Sequence, residues 1–356
     1  MEGGICGPRN IPANRVRNTA HWLINFAWYY KHTLQPSLQE QVEQFAQFLI
    51  SEEARPAGYA FYNLPEHHSP GNGLIGQAWI MEALLTASET LGEPRFAQVA
   101  AEVFEQHAFD ETQSLWRILH PNGSIQHVHP TLNQQVWFAA MGARLAPFGA
   151  TNAEARVAQF LNRLSSHIHL LSGGLLGMRI RKPPSSLSWK ERLLKMRRWM
   201  RTRLMPNQLP SFTYRETSVG YHAFAMYGFA LLYESFPNHP FWQSPQFQRA
   251  LRWTYSDMHQ RALQHNRFAM GYNPSGFEVP YVLSVFRPIP EAEMLAQSRW
   301  WLGEQIRRHY DPATGKFSRN TYDEPTLTAR VYEATRLPDA LLDLPLDYGT
   351  RNGDAS

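Results

Sequence analysis

Cysteine is almost missing from this sequence: Cys6 is the only one in 356 residues. One thiol builds neither an intramolecular disulfide nor a zinc site with cysteine ligands, which removes disulfide-scaffolded domains and several zinc enzymes at once. Long hydrophobic runs are lacking too. No stretch approaches the roughly 18 uninterrupted apolar residues that a membrane span needs, and the opening MEGGICGPRNIPANRVRN has no apolar signal core. A cytoplasmic protein is therefore expected. Charge is sparse, at 18% of residues, with 34 Lys and Arg against 30 Asp and Glu. This mildly basic balance invites anionic partners but is far from a nucleic-acid-coating composition, and no nucleic-acid motif is present. With 43% hydrophobic residues, 11 Trp, 15 Tyr and 20 Phe, the chain has ample material for a large core.

What the sequence does have is helical periodicity nearly throughout, with few and short alternating runs. The pattern predicts an all-α protein with helices over 17–32, 38–51, 74–91, 95–108, 131–147, 153–169, 219–236, 244–264, 276–287, 291–309 and 326–336, and a short piece near Pro338. Two kinds of helix alternate. LIGQAWIMEALLTA from Leu74, TLNQQVWFAAMGA from Thr131, GYHAFAMYGFALLY from Gly220 and TLTARVYEA from Thr326 are apolar or small on all sides, as buried helices are. EPRFAQVAAEVFEQH from Glu93 and NAEARVAQFLNRLSSH from Asn152 have one charged face, which suits an outer layer.

The buried helices begin near residues 19, 74, 131, 219, 276 and 326. Steps of about 55, 57, 88, 57 and 50 residues are a repeat signature, the long third step carrying an insertion over about 178–210. Six inner helices alternating with outer ones close into an (α/α)6 toroid, taken here as one domain over residues 1–356. In this architecture and in the style of its helix starts, the chain from about Asn18 to Leu337 resembles the six-hairpin carbohydrate-active enzymes: glycoside hydrolases, uronate lyases and sugar epimerases. The resemblance implies fold more directly than reaction.

One end of such a ring is a concave mouth, lined by the segments that lead into the inner helices. Here those segments are NLPEHHSPGNG, IQHVHPTLNQQ, FTYRETSVGYH, GYNPSGFEVPY and SRNTYDEPTLTAR, and they gather His, Tyr, Asn and Arg beyond what solvation requires. Tyr59, Tyr62, Tyr214, Tyr221, Tyr272 and Tyr281 offer flat faces and hydroxyls for sugar rings, although core packing is an equal reading for the tyrosines and the better one for Trp79 and Trp137. His67, His68, His127 and His129 suit hydrogen bonding to substrate or simple capping. With no HExxH and no cysteine partner, neither a metal nor another cofactor is expected. Asn72 and Asn133 complete the polar lining.

Three chemistries fit. Glycoside hydrolysis needs two carboxyl groups, and the candidates are Glu278 as acid, then Asp323, Glu324, Glu216 and Glu82. Asp323 and Glu324 also suit a helix N-terminus, where an acid gains about 0.3–1 kcal/mol. Lyase or C5-epimerase chemistry needs a base and a carboxylate clamp: His222, Tyr221 or Tyr272 for the first, and Asn133, Arg215 and Arg330 for the second. Arg330 lies on a helix that reads as buried, so either an acidic glycan or a neighbour such as Glu333 must pair with it. The leading expectation is hydrolysis of an acidic oligosaccharide, with lyase or epimerase chemistry and a non-catalytic glycan-binding protein as alternatives. Within the insertion, seven Lys/Arg and one Glu fall between Lys190 and Arg203. Trp189, Leu193, Met196 and Met200 form an apolar stripe, so residues 188–204 read as an anchor to an anionic membrane surface, as a solvated helix on the barrel, or as a steering patch for an anionic glycan.

Overall fold

The computed structural model describes residues 2–65, 68–181 and 213–345. Fourteen α-helices occur among them: α1 (Arg15–Thr33), α2 (Pro36–Leu49), α3 (Gly73–Leu91), α4 (Pro94–Gln106), α5 (Leu132–Leu145), α6 (Ala153–His167), α7 (Tyr214–Gly220), α8 (His222–Ser235), α9 (Pro245–Thr254), α10 (Asp257–Leu263), α11 (Ser275–Phe286), α12 (Glu291–His309), α13 (Glu324–Ala329) and α14 (Asp339–Leu342). Helix α1 packs on α3, α3 on α5, α5 on α8 and α8 on α11. The ring then closes through α13 and the 3-10 stretch Arg330–Arg336, which returns to α1. Helices α2, α4, α6, α9 and α12 lie outside. This is the (α/α)6 toroid expected from the alternation of apolar and amphipathic helices.

Local chemistry sets the boundaries. The Asn14 side chain accepts from the Val16 amide at 3.1 Å to start α1. Gly92, in the left-handed region, ends α3, and Pro94 opens α4 two residues later. Helix α4 turns Phe96, Ala97, Ala100, Ala101, Val103 and Phe104 inward, whereas α3 is buried around most of its circumference. Gly142 of α5 makes room for Phe104, since a Cβ there would lie 2.2 Å from its ring. Burying a phenylalanine of this kind stabilises the fold by about 1.5–3 kcal/mol.

The structure departs from the periodicity in four places. A three-stranded antiparallel sheet, β1 (Phe109–Asp110), β2 (Leu115–Leu119) and β3 (Ile125–Val128), stands between α4 and α5. Helix 219–236 is interrupted at Tyr221, where the Gly220 carbonyl accepts from Asn273 Nδ2 at 2.8 Å. Helix 244–264 breaks at Tyr255, and Ser256 caps a new helix through the His259 amide. The last inner helix is α-helical only to Ala329 and then tightens to 3-10. Of the insertion, residues 178–181 alone are described, so the proposed helix over 188–204 lies outside the described residues. Among the described residues no helix is long and apolar enough to cross a membrane.

Candidate active site

Helix α1 carries Arg17, His21 and Asn25 at four-residue spacing, and all three are buried. Polar residues so spaced on a buried helix form a stripe aimed into the ring. Arg17 reaches Asp323 at 3.3 Å and Thr326 Oγ1 at 2.6 Å. Asn25 donates to the Ala329 carbonyl at 2.8 Å. His21 is different: its solvent exposure is 0%, and neither ring nitrogen has a partner. It stacks on Tyr332 at 4.8 Å and meets Trp79 edge to face at 5.1 Å. Burial, then the positive charges of Arg17 and Arg330, hold its pKa well below the usual imidazole value, so it is neutral.

Beside it lies Arg330, 5.2 Å from the Phe224 ring and 6.0 Å from Trp79. Its guanidinium donates to Glu333 at 2.7 Å, to the Tyr272 carbonyl at 3.0 Å, to Asn273 Oδ1 at 2.9 Å and to Glu278 at 3.1 Å. Glu278 and Glu333 thus converge on one cation. Burial, followed by the negative charge of Glu333, pushes the Glu278 carboxyl well above the usual range. Its Oε2 has no partner. Deeper in the ring Glu82 pairs with Arg336, which also donates to the Tyr227 hydroxyl at 3.1 Å. The central cluster therefore sets Glu82, Glu278 and Glu333 against two guanidiniums, and at least one carboxyl gains by remaining protonated.

These contacts place the sequence candidates. Glu278 and Arg330 lie together in the ring centre. Arg330 takes Glu333 as partner, one of the two alternatives that its buried helix left open. Asp323 caps α13 through the Thr326 amide and pairs with Arg17, while Glu324 is half-buried and bonded to Lys316 at 3.0 Å. Glu216 closes a capping box with Thr213 and pairs with Arg267. His222 leaves the mouth: its nitrogens meet the Leu176 amide at 3.3 Å and Thr254 Oγ1 at 3.1 Å, between inner and outer helices. Tyr281 also lies elsewhere, its hydroxyl donating to Glu234 at the far end of α8 at 2.8 Å.

The mouth keeps the rest in part. Tyr221 and Tyr272 meet edge to face at 6.1 Å. Asn133 is buried at the start of α5 with Oδ1 unpartnered. Asn72 begins α3 in a left-handed conformation, and His129 packs against neighbouring Gly73, its pKa lowered to about 4 by burial and by His127. His68, His127, Tyr214 and Arg215 are exposed, and Tyr214 receives the Arg179 amide at 3.2 Å. His67 lies outside the described residues. The sequence reading missed His21 and Arg17 because it searched the segments before the helices; the Arg17, His21, Asn25 stripe was the available signal. Among the described residues no cluster of three or more His, Cys, Asp or Glu is arranged to hold a metal ion.

No family model matches the sequence. Archaeal glycosylation protein Q of Haloferax volcanii is 36% identical over 348 residues, covering 95% of this chain and 92% of that protein. Among solved structures, cellobiose 2-epimerase from Spirochaeta thermophila superposes with a TM-score of 0.62 at 12% identity, over 96% of this chain and 89% of that one. A D-mannose isomerase gives 0.60 at 11%, over 92% and 86%. An unsaturated glucuronyl hydrolase specific for heparin gives 0.55 at 10%, over 96% and 90%. At these identities the likeness is one of fold, and it is the fold of the six-hairpin carbohydrate-active enzymes.

Proposed function

This chain belongs to the family of archaeal glycosylation protein Q, and on that premise we propose that it is a sugar-modifying enzyme of a glycosylation process. Its reaction is proton transfer at a carbon next to a carbonyl or carboxylate, as in epimerisation or isomerisation. The observation that carries this reading is His21, with both nitrogens unpartnered in the ring centre that also holds Glu278, whose Oε2 is free and whose carboxyl burial pushes well above the usual range. An orphaned buried imidazole costs stability, and a base awaiting a substrate proton is a functional reason to keep it.

In this mechanism His21 removes the carbon-bound proton. The electron pair moves into the neighbouring carbonyl, whose oxygen is met by the Glu278 acid, and return of a proton to carbon completes the change. Trp79, with an unpartnered indole N–H, offers the sugar a face and a donor. The carboxyl geometry supports proton transfer over the hydrolysis expected from sequence. Hydrolysis uses carboxyls on opposite sides of a sugar, about 5–9.5 Å apart, whereas Glu278 and Glu333 converge on Arg330 and Asp323 is held by Arg17.

The test is incubation with reducing sugars and uronate oligosaccharides in deuterated water, followed by NMR. Loss of one sugar C–H signal is expected, and His21→Asn should slow it by about 10²–10⁴-fold with unchanged circular dichroism. A new reducing end without carbon exchange would overturn this reading in favour of hydrolysis. Binding without turnover would favour a glycan-binding role.

A further inference from the structure

The ring centre described above is closed on the mouth side by the chain's own residues 2–14. The segment folds back as a hairpin, with the Cys6 amide donating to the Ile11 carbonyl at 2.9 Å, the Ala13 amide to the Gly4 carbonyl at 2.7 Å, and a 3-10 turn at Gly7–Arg9. It touches the starts of four inner helices. Asn18 Nδ2 donates to the Glu2 carbonyl at 3.1 Å, and Arg17 reaches the Ile5 carbonyl at 3.3 Å and Cys6 Sγ at 3.7 Å. Gly4 fits against Asp323 and Thr326, and Gly7 against the Tyr272 ring, so closely that a Cβ would lie 2.3 Å from Thr326 Oγ1 or 2.1 Å from the ring. Arg9 lies over Tyr221 at 5.9 Å.

Two features make this a removable cover. Its grip on α1 consists of two side-chain bonds to carbonyls and one long contact to sulfur, and its closest packing is through glycines, which bury little apolar area. Its base is firmer: the Asn14 amide donates to the Asn63 carbonyl at 3.0 Å, and Asn14 Nδ2 to the Tyr62 carbonyl at 2.6 Å. The segment is therefore held more firmly at its Asn14 base than over the mouth. Arg9 is also distinctive. Arg330 and Arg17 are each committed to carboxylates, whereas Arg9 is exposed and makes no ion pair with any described residue.

We propose that residues 2–14 form a strap that lifts from the ring mouth to admit the sugar and closes over it, and that Arg9 contacts an anionic group on the bound sugar. The ligand half of this inference rests on the sugar-enzyme reading; the movement does not, and it is measurable without turnover. Cys6, 6% exposed on the covered side of the strap, is the only thiol in the chain and so reports its lifting. Under native conditions Cys6 should react with a disulfide reagent faster than global unfolding allows, and Gly7→Ala should accelerate the reaction about tenfold or more by wedging the strap against Tyr272. Labelling that follows the global unfolding rate in both proteins would overturn the movement.

For Arg9, calorimetric titration with D-glucuronate and D-glucose should show a preference for the acid that Arg9→Ala reduces about tenfold or more, the scale of a lost charge-assisted hydrogen bond. An undiminished preference in Arg9→Ala, or none in the parent protein, would overturn that assignment. Strap movement without any carbon exchange would refute the catalytic reading alone.

Discussion

Replacing Arg330 with methionine keeps an unbranched apolar stem and removes the charge with its hydrogen-bonding head. The structure gives the consequence. Arg330 is 2% exposed and holds Glu278 and Glu333, both 0% exposed, together with the Tyr272 carbonyl and Asn273. Removing one partner from a buried ionic cluster typically costs about 3–5 kcal/mol, because the remaining charges lose their compensation. The loss should depend on pH. Burial raises Glu278 and Glu333 above their unfolded values, so the folded state binds protons more tightly than the unfolded chain. Their contribution to stability is complete below the ordinary carboxylate range and declines as pH rises through the raised folded values. Without Arg330 the carboxyls retain protons still more strongly, and the decline steepens. Urea unfolding at pH 5 and pH 7.5, followed by tryptophan fluorescence, should show a lower midpoint in the variant at both pH values and a larger deficit at 7.5. A deficit below about 1 kcal/mol at pH 7.5, the range of an exposed pair, or equal deficits at both pH values, would refute the buried-cluster argument.

Three further outcomes follow from packing and pairing. Gly228→Ala should destabilise by about 1–3 kcal/mol in chemical denaturation, since a Cβ there would lie 2.7 Å from the Trp137 ring; an unchanged midpoint would show that Trp137 yields freely. Asp323→Ala removes both the cap of α13 and the partner of Arg17, and should cost about 3 kcal/mol or more, read as a fall in melting temperature absent from Glu324→Gln. Glu324→Gln, which loses only an exposed contact with Lys316, should leave melting temperature and carbon exchange as they are, and a loss of exchange there would return Glu324 to the catalytic set.

The toroid was legible because burial on all sides leaves a compositional trace. LIGQAWIMEALLTA has no wet face, and α3 has none in the structure apart from its last turns. The short sheet left little trace: β1 is two residues long, and β3 alternates exposed with half-buried positions over four. The interruption at Tyr221 comes from Asn273, 52 residues downstream, which local periodicity does not register. At the site, the buried Arg330 announced its need for a carboxylate. The direction in which a side chain leaves its helix was not legible, which is why His222 points between layers and Tyr281 toward Glu234. The strap was hidden by its own composition, since a Gly- and Pro-containing stretch reads as an unstructured end until its contacts are seen.

The pairing of Arg17 with Asp323 joins positions 306 residues apart, and the same seam brings Asn25 to the Ala329 carbonyl. During synthesis the first inner helix leaves the ribosome long before its last neighbour, at about 5–20 residues per second. Arg17 and the His21 ring must then wait with their eventual partners unmade while most of the ring is translated. The ring centre is consequently among the final parts to be completed, and a chain stopped before Asp323 would contain nearly all the helices of the toroid yet lack both Arg330 with its partner Glu333 and the seam that shuts the ring. Quality control for such a protein amounts to whether its circle has closed.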